Sequence, residues 1–252
     1  MSFITVQDIK LHYEKYGRKG KTVVLLHGWG QNTEMMAFIG EFLKSHFIVY
    51  NIDLPGFGQS EEPPVAWDAN DYCELLHDFL LKKKAADQPI FIAHSFGCRI
   101  ALRYAYKYGA WKMVLTGAAG IRDKRGIDYY AKVYSYKLGK KIMSIRPLQK
   151  YKEEMMKNAG SEDYRNSSGV MRETFVKVVN EDLKDILKDI DCETLLVFGE
   201  KDEATPLEKG KMMEKLMPDA TLVVFENDDH YAYINEAQRF NMVLDAFLRS
   251  DY

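Results

Sequence analysis

The sequence predicts an α/β protein in which a mostly parallel β-sheet is covered by helices on both faces. Short apolar segments alternate along the chain with segments of helical periodicity, which is typical of parallel sheets. Several of these segments are continuous apolar runs, as expected of strands that are buried on both faces. With 252 residues, 46% of them hydrophobic, the chain can form one large domain or one domain with an insertion.

The first half of the chain predicts a hairpin followed by alternating strands and helices. The hairpin would be formed by two short strands at residues 3–6 and 11–16. Apolar runs predict further strands at residues 22–27, 47–52, 89–93 and 111–116. Residues 68–84 place four large apolar side chains on one stripe, which predicts a helix. A second helix is predicted at residues 98–107.

The second half returns to the same alternation after an interruption. Strands are predicted at residues 194–198 and 221–225, and helices at 206–216 and 235–249. Between residues 121 and 189 no strand is evident, and the segment is polar, helix-prone and rich in Tyr and Met. Residues 122–157 carry eleven basic side chains against four acidic ones. A helical unit inserted between two strands is a candidate lid, although an ordinary solvated helical surface would have the same pattern.

Composition and short motifs exclude several classes of protein. The 35 Lys and Arg against 37 Asp and Glu argue against a nucleic-acid partner. A membrane span needs about 20 apolar residues, and no run approaches that length. No secretion signal is evident, and Cys73, Cys98 and Cys192 form no CxxC pair, so we expect reduced thiols and a cytoplasmic location. No metal or nucleotide motif occurs, so no metal site or cofactor is predicted.

One short segment has the pattern of a nucleophile elbow, a sharp turn between a strand and a helix that exposes a serine. The sequence Ala93-His94-Ser95-Phe96-Gly97 follows an apolar strand and begins a predicted helix. Small residues must flank the serine because the helix backbone packs close to the strand. Gly97 fits this requirement, and Ala93 replaces the glycine that is usual at its position. Cys98 is interpreted as a small apolar helix residue.

A serine nucleophile needs an imidazole that accepts its proton and a carboxylate that orients the imidazole. Asp202 and His230 each follow a predicted strand, where a parallel sheet places its ligands. The order Ser95, Asp202, His230 is the order of the α/β-hydrolase triad. Glu200 and Glu203 are alternatives for the carboxylate.

Two backbone N–H groups are candidates for binding the oxyanion that forms in acyl transfer. They belong to Phe96, directly after the serine, and to Trp29, in a glycine-rich loop after the first long strand. A tight turn without a catalytic role is the alternative for this loop. Of the other histidines, His27 and His94 are expected to support the site, and His12 is expected on the surface.

These motifs together resemble the α/β-hydrolase-fold serine hydrolases over nearly the whole chain. The matching sequences are HGWG at 27–30, DLPGFGQS at 53–60, AHSFG at 93–97, GEKD at 199–202 and DDH at 228–230. The resemblance implies an eight-stranded, mostly parallel sheet with helices on both faces and a helical cap after the sixth strand. We therefore expect a core domain at residues 1–120 and 190–252 and a cap at 121–189.

Within this family, the N-terminal third is similar to the carboxylesterases that cleave pimeloyl-[acyl-carrier protein] methyl ester. The resemblance implies a serine esterase that cleaves carboxylic esters of small to medium acyl chains through an acyl-enzyme. The identity of the substrate does not transfer from this resemblance. We expect a small-molecule ester, and the basic stretch at 122–157 could attract an acyl-carrier-bound or carboxylate-bearing substrate. The alternatives are a carbon–carbon bond hydrolase or lyase on the same fold, and a ligand receptor without turnover.

Overall fold

The computed structural model describes residues 2–122, 135 and 161–252. It contains one eight-stranded sheet with the strand order β1-β2-β4-β3-β5-β6-β7-β8. The strands are Ser2–Val6, Ile9–Tyr16, Thr22–Leu26, Ile48–Ile52, Ile90–His94, Lys112–Thr116, Glu193–Gly199 and Ala220–Phe225. The pairs β1·β2 and β2·β4 are antiparallel and the other pairs are parallel. The predicted α/β fold with a mostly parallel sheet is confirmed.

Eight α-helices lie among the described residues. They are α1 Ala37–Leu43, α2 Ala69–Lys83, α3 Phe96–Tyr108, α4 Glu162–Asn166, α5 Gly169–Asn180, α6 Leu207–Leu216, α7 Ala232–Asn235 and α8 Ala237–Leu248. Short 3₁₀ segments occur at Thr33–Met36, Lys184–Asp189 and Arg249–Asp251. Helices α1 and α7 were not predicted from the sequence, and the helix predicted at residues 235–249 corresponds to α8.

The parallel strands are buried on both faces, as their continuous apolar runs predicted. In β3, Val24 and Leu26 belong to one apolar cluster, and Val23 and Leu25 belong to the other. Successive side chains of a strand point to opposite faces, so the two clusters lie on the two sides of the sheet. Residues of α2, α3 and α6 complete the first cluster, and residues of α1 and α8 complete the second.

The limits predicted for α2, residues 68–84, differ by one residue at each end from the observed helix, and its two caps explain where it begins and ends. The Asp68 carboxylate accepts hydrogen bonds from the backbone N–H groups of Asn70 and Asp71, and the Asp71 side chain accepts from the Asp68 N–H. This reciprocal capping satisfies backbone donors that the first helical turn leaves without partners. At the other end Lys84 adopts a left-handed conformation with φ of 55° and stops the helix.

The expectation that His12 lies on the surface is wrong. His12 is buried, and its Nδ1 lies 2.8 Å from Asp53 Oδ2. The physical reason is the position of β2, which lies between β1 and β4 and is therefore an interior strand. Asp53 also accepts hydrogen bonds from the backbone of Thr33 and Gln59, so this carboxylate organises the loop after β4.

The segment after β6 is largely helical over residues 161–189. This described part forms α4, α5 and a 3₁₀ segment and contains no strand. The aromatic residues Tyr129, Tyr130, Tyr134 and Tyr136 lie outside the described residues, as do Met143, Met155, Met156 and all of the basic cluster except Arg122. The division into a core and a cap at 121–189 therefore stays a prediction.

Candidate active site

Ser95 occupies a strained turn between β5 and α3. Its backbone has φ of 48° and ψ of −107°, a conformation that side-chain-bearing residues adopt at a cost of about 1–3 kcal/mol. Two backbone hydrogen bonds hold the turn: Ser95 N–H donates to Thr116 O at 3.0 Å, and Cys98 N–H donates to Ser95 O at 3.1 Å. The sharp reversal of the chain is the geometry that the elbow motif predicts.

The small residues of the motif match a close approach between α3 and β3. A Cβ atom on Gly97 would lie 2.4 Å from Leu26 O and 2.8 Å from His27 O. Only glycine fits there without moving the backbone. Ala93, which replaces the usual glycine, is fully buried in β5, and its carbonyl oxygen lies 3.3 Å from the Cys98 thiol. Its methyl group is thus accommodated within the core.

His230 and Asp202 meet at the carboxyl ends of the last two strands. Nδ1 of His230 lies 2.7 Å from Oδ2 of Asp202. Asp202 follows β7 and His230 follows β8, and the parallel pairing of these strands brings the two loops together. The Asp202 side chain is inaccessible to solvent, and 16% of the His230 side chain is exposed. Burial alone raises the pKa of Asp202, but its hydrogen bonds with His230 and Thr205 bring that pKa below its ordinary value.

Thr205 is a member of this network that the sequence analysis missed. Its hydroxyl donates to Asp202 Oδ2 at 2.7 Å, and its backbone N–H donates to Oδ1 at 2.8 Å. The same hydroxyl lies 3.3 Å from His230 Nδ1. The signal was present, because an Asp that accepts from backbone N–H groups two and three residues later is a common turn. The rival carboxylates Glu200 and Glu203 are both exposed, and Glu200 accepts from the backbone of Asn227.

Ser95 and His230 line one cavity of about 760 Å³. Its wall includes both candidate oxyanion residues, Trp29 and Phe96. Apolar side chains from the two ends of the segment after β6 also line it, namely Ile121, Phe175, Val178 and Val179. The charged lining residues are Arg99, Arg122, Glu162, Asp163 and Lys209. A mostly apolar wall with a few charged groups suits an organic substrate.

Comparison with known proteins identifies the family. Residues 23–243 match the model of the family described as the alpha/beta hydrolase family. The chain belongs to the alpha/beta hydrolase family. It is 27% identical to the AB hydrolase superfamily protein YisY of Bacillus subtilis (strain 168), over 98% of both chains. It is 25% identical to the pimeloyl-[acyl-carrier protein] methyl ester esterase of Salmonella newport (strain SL254), over 92% of this chain and 95% of the relative.

Solved structures agree with this assignment at the level of the fold. An esterase from Exiguobacterium antarcticum superposes with a TM-score of 0.75 at 23% identity, covering 98% of this chain and 99% of the other. A bromoperoxidase from Bacillus anthracis superposes with a TM-score of 0.77 at 23% identity, covering 98% and 100%. The α/β-hydrolase fold and the recognition of this family are therefore confirmed.

The candidate oxyanion donors of this alpha/beta hydrolase lie at the start of α3 and in the loop after β3. Phe96 is the first residue of α3, so its N–H is among the donors that a helix leaves without an internal acceptor. Trp29 follows β3, and its ring packs edge-to-face on the Phe96 ring at 5.2 Å between centroids. The Trp29 indole N–H donates to Ser167 Oγ at 3.2 Å, which ties this loop to the segment before α5.

Two further histidines, His27 and His94, are fully buried near the candidate site of the hydrolase. The Leu54 N–H donates to His27 Nε2 at 3.0 Å, so the His27 proton is on Nδ1, which lies 2.7 Å from Gly28 O. His94 lies beside the catalytic candidate, with 4.7 Å between its ring centroid and that of His230. Burial lowers the pKa of His27 to about 4 and the pKa of His94 to about 3. Both rings are neutral near pH 7.

Gly117 is a second position near the site that the sequence analysis did not single out. A Cβ atom there would lie 2.8 Å from His230 Nδ1 and 3.3 Å from Asp202 Oδ2. Its φ of 49° also disfavours any side chain. The glycine at the end of β6 therefore leaves the space in which the imidazole and the carboxylate meet.

Within the described part of the chain, no cluster of three or more His, Cys, Asp or Glu side chains has an arrangement that could hold a metal ion. None of the described helices has the length and apolar character needed to cross a membrane. All three cysteines are free: Cys73 and Cys98 are buried, and Cys192 is partly buried. Burial raises the pKa of Cys98, which lies in α3 as a small core residue.

Proposed function

We propose that this alpha/beta hydrolase is a serine esterase that cleaves carboxylic esters of small to medium acyl chains through an acyl-enzyme. The single observation that supports this best is the 2.7 Å contact between His230 and Asp202 beside the cavity that Ser95 also lines. The curated relatives include esterases at 25% identity. An apolar cavity wall suits the acyl chain of such a substrate.

In the proposed mechanism, the Ser95 hydroxyl attacks the ester carbonyl while His230 takes its proton. Asp202 stays ionised, holds the imidazole with its proton on Nδ1 and stabilises the imidazolium. The backbone N–H groups of Trp29 and Phe96 would bind the oxyanion, where one donor is worth about 2.7–4 kcal/mol. The imidazolium then protonates the leaving alcohol. A water molecule activated by the same ring hydrolyses the acyl-enzyme and frees the serine.

We also propose that residues 121–189 form a cap over this site and that residues 1–120 and 190–252 form the core. Contacts of α5 and the residues before it support the cap. The Phe175 ring packs on Trp29 with 5.0 Å between centroids, and the Thr174 hydroxyl accepts from the Trp67 N–H at 3.1 Å. The proposed compartment is the cytoplasm, where free cysteines stay reduced. A carrier-bound ester is the second form of substrate to test.

The experiment combines turnover with active-site labelling. We expect wild-type protein to hydrolyse a series of p-nitrophenyl esters and to react covalently with a fluorophosphonate. Ser95→Ala should lose at least about 10³-fold in kcat and all labelling, because the nucleophile is gone. Ser45→Ala, which changes an exposed serine outside the site, should retain both.

The alternatives predict other results in the same assays. Labelling that persists in Ser95→Ala would remove Ser95 from the mechanism. Turnover of vinylogous diketones without turnover of esters would replace the esterase with a carbon–carbon bond hydrolase. Binding of an ester without repeated turnover would indicate a receptor.

A further inference from the structure

A buried arginine lies on the wall of the cavity, one helical turn beyond Ser95. Arg99 is on α3 and is only 6% exposed, yet its side chain lines the same cavity as Ser95 and His230. Four residues of α-helix advance by about 6 Å. A positive charge is therefore fixed within reach of the distal part of a bound substrate.

The Glu181 carboxylate, whose charge acts on Arg99, is bound by a second arginine. Among the described residues, the Arg99 guanidinium donates one hydrogen bond, from Nη1 to the backbone oxygen of Glu181 at 2.9 Å. The Glu181 carboxylate instead accepts from Arg103, through Nε at 2.9 Å and through Nη2. A guanidinium carries five N–H donors, so Arg99 has donors left for a ligand.

The surroundings of Arg99 favour an anionic ligand. Burial lowers the pKa of Arg99, and the charges of Glu181 and Asp182 oppose this effect without reversing it. A charge that is poorly solvated gains more from an anion than an exposed charge would. Arg122 and Lys209 line the same cavity and add positive charge, whereas Glu162 and Asp163 add negative charge. The planar guanidinium matches a carboxylate with two parallel hydrogen bonds.

We propose that Arg99 binds a carboxylate of the substrate, so that the preferred esters carry a free carboxylate at a distance from the scissile bond. This inference rests on the proposed esterase function, which it refines by naming the substrate class. A different role would be purely structural, because Arg99 and Arg122 both donate to backbone oxygens at the end of α5. A structural role alone predicts no preference between charged and neutral ligands.

The test measures binding without turnover, by isothermal titration of the Ser95→Ala protein. The ligands are monomethyl adipate, which carries a carboxylate, and methyl hexanoate, its neutral counterpart of equal chain length. We expect monomethyl adipate to bind at least tenfold more tightly, which corresponds to about 1.4 kcal/mol. A third ligand, 4-acetoxybutanoate, carries the carboxylate on the alcohol side and shows which side of the ester faces Arg99.

Two double variants then separate the charge of Arg99 from its packing. Adding Arg99→Met should abolish the preference for the charged ligand. Adding Lys107→Met, which removes an exposed positive charge from the same helix outside the cavity, should keep it. Equal affinity of the Ser95→Ala protein for the charged and neutral ligands would overturn the inference even if no Arg99 variant folds. A preference that survives Arg99→Met would overturn it as well.

The proposed function is tested separately, so the two failures are distinguishable. If wild-type protein hydrolyses both methyl esters equally well, the esterase stands and the carboxylate site fails. If it hydrolyses neither ester but binds monomethyl adipate through Arg99, the carboxylate site stands and the esterase fails.

Discussion

Acidification should destabilise this protein well above the pH at which most carboxylates titrate, because two histidines are buried as neutral rings. Burial lowers the pKa of His27 to about 4 and that of His94 to about 3, whereas an unfolded histidine titrates near 6.5. The unfolded state therefore binds more protons below pH 6.5. The stabilisation that the two neutral rings contribute is complete above pH 6.5. It is lost as the pH falls toward 4 for His27 and toward 3 for His94.

The size of the effect follows from these values. One pH unit corresponds to about 1.36 kcal/mol for each proton that only the unfolded state binds. At pH 5, about 1.5 units below the histidine pKa of the unfolded state, each ring lowers the free energy of unfolding by about 2 kcal/mol. The two rings together lower it by about 4 kcal/mol. Since a domain is stable by only about 5–15 kcal/mol, this loss is a large fraction of the total. Near pH 5.5 the two rings give a slope of about 2.5 kcal/mol per pH unit.

Urea unfolding at several pH values between 5 and 7.5 measures this slope directly. Replacing His94 by Gln removes one of the two protons, so the slope near pH 5.5 should fall by about half. Ile92→Val is the control, because it removes one buried methylene, lowers the free energy of unfolding by about 0.5–1.5 kcal/mol and changes no charge. Parallel curves for wild type and His94→Gln between pH 5 and 6 would refute the reasoning.

Two substitutions probe the local geometry. Thr205→Val removes the hydroxyl that donates to the proposed catalytic carboxylate, and a hydrogen bond to a charged group is worth about 1.5–3 kcal/mol. We expect kcat on p-nitrophenyl esters to fall by about tenfold or more and Thr205→Ser to restore it; an unchanged kcat, or no rescue by serine, would contradict this. Gly97→Ala would place a methyl group 2.4 Å from the backbone oxygen of Leu26, so overpacking should lower the free energy of unfolding by about 3 kcal/mol. Urea unfolding measures it, and a loss below about 1 kcal/mol would show that α3 can move away.

The parallel strands and the elbow could be predicted because each leaves a local trace in the sequence. A strand buried on both faces is a continuous apolar run, and the run predicted at 111–116 became the strand Lys112–Thr116. Asp202 and His230 could be placed near one another because both follow strands, and parallel strands present their carboxyl ends at one edge.

The features that were missed depend on long-range pairing or on short elements. His12 is buried because β2 pairs with β4, about 40 residues further along the chain, and no pattern near His12 encodes that pairing. Helix α1 has seven residues after a 3₁₀ turn, too few for a clear apolar period. Thr205 acquires its role only because His230 arrives from another strand.

The backbone conformation of Ser95 suits the proposed chemistry but is unfavourable for the stability of the fold. A glycine would adopt φ of 48° with less strain, so the most stable version of this chain does not have a serine at that position. The hydrogen bonds from Ser95 N–H to Thr116 O and from Cys98 N–H to Ser95 O hold the turn in this conformation. The serine therefore lowers the free energy of unfolding in order to place a hydroxyl group at the end of β5. The rest of the sheet must be stable enough to tolerate this loss.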